Sequence, residues 1–90
     1  MAHTARSKKK LISRINRLKG QLEAVSELIE KEEDCYKVMQ VLSSCRGALN
    51  GLMGDVIEGH IAEHIVQADN KNMATQAGAE VIDILKSFWK

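Results

Sequence analysis

The 90-residue chain carries 13 Lys and Arg against 12 Asp and Glu, with 44% hydrophobic residues, 3% aromatic residues and no proline. That length fits a single domain, 1–90, leaving little room for an enzyme fold with a deep cleft between two layers, and the balanced composition excludes a disordered or fibrous chain. No run approaches the ~18 apolar residues of a membrane span, and the start Met1-Ala2-His3-Thr4-Ala5-Arg6 lacks the apolar core of a secretory signal, so a soluble, cytoplasmic, non-enzymatic protein is expected.

Abundant Lys, Glu, Leu and Ala without proline predict an all-α chain. In a first helix, about 5–31, Leu11, Ile15, Leu18, Leu22, Val25 and Ile29 step by four and three, the seam of a helix packed lengthwise on another. Lys31-Glu32-Glu33-Asp34 interrupts it, and Asp34 is placed to cap the next helix. That second helix, about 35–66, repeats the seam with Val38, Leu42, Cys45, Leu49, Leu52 and Val56, then Ile57, Ile61 and Ile65. At 1.5 Å per residue it spans roughly 45 Å, a length suited to a helix shared between subunits. Asp69-Asn70-Lys71-Asn72 ends it, and a third helix, about 73–88, carries Ala77, Val81, Ile84, Leu85 and Phe88.

The middle helix holds Gly47, Gly51, Gly54 and Gly59. Each costs about 1 kcal/mol relative to alanine in a helix interior, and the bland account, close approach of another helix, is favoured over a hinge. Three long seams in so short a chain predict an oligomer.

Near-neutrality conceals a divided molecule. The first 22 residues hold seven positive charges, Arg6, Lys8, Lys9, Lys10, Arg14, Arg17 and Lys19, and no negative one; the other 68 hold six positive and twelve negative. Arg6, Lys10, Arg14, Arg17 and Gln21 share a helical stripe expected beside, rather than within, the apolar seam. Such a stripe suits phosphate contact, although a solvated helix face gives the same pattern. A membrane surface fits less well, since no Trp or Phe opposes the stripe. No sharp helix pair of the helix-turn-helix kind can be placed.

His60 and His64, four residues apart, project from one helical face and can share a metal ion, although paired exposed histidines are often innocent. Cys35 opens the same helix, where the positive end of the dipole favours an anionic ligand atom. Twenty-five residues of helix put it nearly 40 Å from His60, so the three can share an ion only if two such helices run antiparallel in a dimer. His3 can supply a further ligand from the tail. Cys45, on the seam between Leu42 and Leu49, reads as a small core residue, and an intrachain disulfide with Cys35 is out of reach. His60-Ile61-Ala62-Glu63-His64 also matches the inverted zinc-peptidase pattern, but a chain this small has no room for the substrate cleft that chemistry needs.

Arg46-Gly47-Ala48-Leu49-Asn50-Gly51-Leu52-Met53, with Glu58-Gly59-His60-Ile61, His64, the early Lys8-Lys9-Lys10-Leu11, Arg14, Arg17, Gly20 and Gln21, and a cysteine opening the second helix, resembles the bacterial repressors typified by CsoR, RcnR and FrmR. The resemblance spans essentially the whole chain. It implies a three-helix protomer, an antiparallel long-helix dimer and a disc-like tetramer of two dimers. It also implies a repressor that holds operator DNA when ligand-free and releases it when the effector binds. Lys10, Arg14, Arg17 and Arg46 would meet the duplex.

Copper sensors of the family carry cysteine where this chain has His64, which argues against copper(I) and toward borderline metals. Formaldehyde sensors have proline at position 2 and no histidine at the place of His64. Nickel and cobalt sensors resemble this chain at His3, Cys35, His60 and His64 together, with Glu63 a weaker oxygen donor and zinc a further ion the donors can take. The resemblance therefore implies a nickel/cobalt-responsive repressor of metal efflux. The alternatives are a formaldehyde sensor using Cys35 and the amine of Ala2, or a metal-storage bundle that never touches DNA.

Overall fold

A computed structural model describes residues 5–88. The described chain is all-helical: α1 (Ala5–Glu30), α2 (Cys35–Ile61), a π-helical turn over Ala62–Val66, and α3 (Lys71–Phe88). Among the described residues there is no strand, and no helix is long and apolar enough to cross a membrane. The residues fall into two compact units, Ala5–Met53 and the stretch from Gly54 onward.

In the first unit, α1 ends because Glu32 takes a left-handed φ of 53°. Glu33 N–H then donates to Leu28 O (2.9 Å) and Glu32 N–H to Ile29 O (3.1 Å), the paired bonds of a Schellman termination with a residue other than glycine at its left-handed position. Asp34 starts α2 as expected: its Oδ1 accepts from Tyr36 N–H at 3.1 Å, and its carbonyl accepts from Lys37 and Val38.

The covered stripes of this unit differ from the expected seam. On α1 they fall at Ser7, Leu11, Arg14, Leu18, Gln21, Val25 and Leu28, with Ile15 beside them; on α2 at Val38, Val41, Cys45, Ala48 and Leu52, with Met53 beside them. These steps alternate four and three in strict heptads, the geometry of two helices laid along each other. Leu22 and Ile29 sit one position off the α1 stripe and are 49% and 59% exposed, while Leu42 and Leu49 are each 45% exposed. The sequence seam thus merges two faces, one covered within the chain and one open. It also misplaces Arg14 and Gln21, which lie half-buried within the covered stripe of α1 rather than beside it. Val25 and Cys45 are the buried core residues here.

In the second unit, α2 gives way at Ala62 to the π-turn, which carries the helical stretch to Val66, the expected end, with Gln67 N–H donating to Ala62 O at 3.3 Å. Asn70 Oδ1 accepts from Met73 N–H at 2.9 Å and caps α3, which therefore begins at Lys71 rather than near 73. The α3 face bearing buried Ala77 packs on the π-turn, and a Cβ on Gly78 would stand in ordinary contact, 3.9 Å from Ile65 Cδ1. Val81, Leu85 and Phe88 are half-buried as expected, but Ile84 is 45% exposed.

Candidate metal centre and nucleic-acid interface

His60 stands in the last turn of α2 and His64 within the π-turn, so the two imidazoles come from different kinds of helix. Their ring centroids are nevertheless 4.8 Å apart, tilted by 49°, and the expected pairing is met. Glu63 Oε2 lies 3.8 Å from His64 Nε2, and Glu80 Oε1, from α3, lies 3.4 Å from His60 Nε2. Both ion-pair distances involve partly exposed groups and add little to stability.

The atoms left over are more informative. His60 Nε2 and Glu63 Oε2 are buried yet lack a hydrogen-bond partner, since the approach of Glu80 to the ring nitrogen is not aligned as a hydrogen bond. A buried, unsatisfied polar atom costs about 1–3 kcal/mol. Here both atoms belong to side chains that line one cavity of about 340 Å³, together with His64, Met73, Gln76 and Glu80 among others. Imidazole nitrogens and carboxylate oxygens offer lone pairs, so this lining suits a cation rather than an anion. Glu80 is not marked as a site residue by the sequence, where its one signal is a carboxylate three residues after Ala77 on an otherwise apolar α3 face.

Cys35 is the first residue of α2, exposed, with a free thiol, and belongs to the other unit. Cys45 is free and buried, in keeping with its place on the seam. Among the described residues, no three His, Cys, Asp or Glu side chains are grouped to hold a metal ion. His3 and Ala2 lie outside the described residues.

A second cavity, of about 440 Å³, lies in the first unit and is lined by Lys10, Ser13, Arg14, Arg17 and Ala48. Three of the four expected DNA-contacting residues are therefore brought together. Lys10 and Arg17 are exposed and Arg14 half-buried. Arg46 is exposed on α2 but does not line this cavity. Beside it, Gly51 passes so near Arg14 that a Cβ there would lie 3.3 Å from Nη1. Gly47 and Gly54 meet nothing within 4 Å, so the close approach expected of the α2 glycines is realised within the chain at Gly51, and these two show none of it.

Residues 7–87 match the model of the metal-sensitive transcriptional repressor family. The transcriptional repressor RcnR of Escherichia coli K12 is 37% identical over 90 residues, covering all of both chains. A variant of the formaldehyde-responsive regulator FrmR from Salmonella enterica serovar Typhimurium superposes with a TM-score of 0.88 at 31% identity, over 97% of this chain and 99% of that one. The copper-sensing repressor CsoR with Cu(I) from Geobacillus thermodenitrificans gives 0.90 at 22% identity, over 100% and 94%, and shows the shared fold. The chain belongs to the metal-sensitive transcriptional repressors of the CsoR, RcnR and FrmR type, a family of regulators rather than enzymes.

Proposed function

We propose that this metal-sensitive repressor responds to nickel or cobalt, holding operator DNA when metal-free and releasing it on metal binding to control efflux. The observation that carries the reading is the pair His60 and His64, 4.8 Å apart beside a buried Nε2 that has no hydrogen bond. Full-length identity to RcnR supports it. A histidine at position 64, rather than a soft thiolate, argues against copper(I).

In this reading His60 and His64 supply two nitrogens, Cys35 a thiolate from a second protomer, and His3 a further nitrogen. When bound, the metal supplies a cation that ties these donors together. Lys10, Arg14, Arg17 and Arg46 face the duplex, mostly at phosphates. The open stripes of Leu22, Ile29, Leu42 and Leu49 are the surfaces buried in an antiparallel dimer and a tetramer. By linkage, DNA weakens metal binding by the factor by which metal weakens DNA binding, typically 1–3 kcal/mol.

The test is an anaerobic titration of the protein on a duplex selected for binding to its metal-free form. Nickel, cobalt, zinc, copper(I) and formaldehyde are added in turn and release is followed by fluorescence anisotropy. Release by nickel or cobalt at the lowest free concentrations is expected. A second reading, formaldehyde sensing through Cys35 and the amine of Ala2, draws on the exposed thiol and the likeness to FrmR. Release by formaldehyde and by no metal would establish it instead.

A further inference from the structure

Arginine at a half-covered position of a packed helix needs somewhere to put its guanidinium. Arg14 occupies such a position on α1, in the same heptad stripe as Leu11, Leu18 and Val25. Opposite it, α2 presents Ala48, which lines the basic cavity, and three residues later Gly51, from which an added Cβ would stand 3.3 Å from Arg14 Nη1. That separation is tighter than ordinary van der Waals contact, so a Cβ at 51 would push the end of the guanidinium aside by a few tenths of an ångström, and a longer side chain by more. The α2 glycines at 47 and 54 have open space where a Cβ would go. The three share one helix and one gain in helix propensity on changing to alanine, yet only Gly51 touches the basic cluster.

We propose that Gly51 is a positioning residue for DNA binding: by lacking a Cβ it lets the Arg14 guanidinium lie against α2 and sets the planar fork at the rim of the cavity that Lys10 and Arg17 share. The inference rests on the reading of that cavity as the duplex-facing surface. Arginine recognises phosphate through two parallel N–H donors in a fixed plane, so orientation matters as well as charge. Gly51 sets the orientation and leaves the charge unaltered.

The experiment uses the full-length, metal-free protein and the selected duplex, with affinity measured across a salt series. Gly51→Ala is expected to weaken binding roughly threefold and Gly51→Leu roughly tenfold, approaching the loss of the arginine contact itself. Gly47→Ala should leave affinity unchanged, and Gly51→Ala and Gly47→Ala should both raise the thermal midpoint. In an Arg14→Ala background the Gly51→Ala effect should vanish, because the group it displaces is gone. The Arg14 Nε–H resonance should shift in Gly51→Ala and not in Gly47→Ala, and cobalt affinity should be unchanged in both. Undiminished DNA affinity in Gly51→Ala and Gly51→Leu, or a loss that persists without Arg14, overturns the role of Gly51 while leaving the duplex reading intact. A wild-type protein that binds no duplex at any salt overturns both. Should Gly51→Leu fail to fold, Gly51→Ala with the Arg14 cycle decides alone.

Discussion

The Ala5–Met53 unit carries ten Lys and Arg against six Asp and Glu, whereas the stretch from Gly54 onward carries three against six. Both break their apolar stripes with polar groups, but with different ones. The first inserts Arg14 and Gln21 into the covered face of α1, next to a cavity shared by Lys10 and Arg17. The second inserts His60, Glu63 and His64 around the π-turn, with Glu80 across from them. Guanidinium and ammonium groups only donate hydrogen bonds and suit an anion; imidazole and carboxylate offer lone pairs and suit a cation. The anion-suited groups gather at the cavity of the first unit and the paired imidazoles and their carboxylates lie in the second, while the exposed thiol of Cys35 belongs to the first.

That division can be broken most decisively from the metal side. His64→Ala, and separately His60→Ala, should abolish metal-driven release, erasing a coupling of roughly 5- to 150-fold while leaving metal-free DNA affinity within about twofold. Loss of DNA affinity in the absence of metal would show that the two chemistries are not separable. Removing cobalt from the wild-type protein with a chelator should restore binding in the same assay.

From the other side, Arg17→Ala should lower duplex affinity about tenfold, similarly for specific and random duplexes, and flatten the dependence of log affinity on log salt. Isothermal titration with cobalt should give an unchanged affinity. A matching fall in cobalt affinity would refute the assignment.

Smaller effects belong to the helix ends that frame each unit. Asp34→Ala, at the start of α2, and Asn70→Ala, at the start of α3, should each destabilise by about 1 kcal/mol in urea unfolding. The smallest effect expected is a gain. Glu32→Gly relieves a left-handed backbone and should add up to about 1 kcal/mol, with DNA and metal affinities unchanged. A loss of stability there would mean that Glu32 makes contacts outweighing its strain.

Much of this was legible in the residues. Period and composition place three helices within a few residues of their ends; Asp34 caps as its type and position suggest; and Cys45 is buried where the seam requires a small apolar group. His60 and His64 are close because a spacing of four survives the change from α to π. The merged seams were not legible, because Leu22 and Gln21 differ by only 100° around the helix and hydrophobicity does not say which face a partner helix takes. Nor was Glu80, whose relevance depends on α3 folding back onto the π-turn.

Local chemistry, then, determined the elements, the charge division and the candidate donors, since propensity, capping and periodicity act within a few residues of each other along the chain. Tertiary packing alone decided that Arg14 enters a covered stripe beside Gly51, that α2 ends in a π-turn which carries His64, and that Glu80 faces His60. Those outcomes depend on which of two neighbouring faces meets another helix, a choice made by the summed contacts of many distant residues rather than by any one of them.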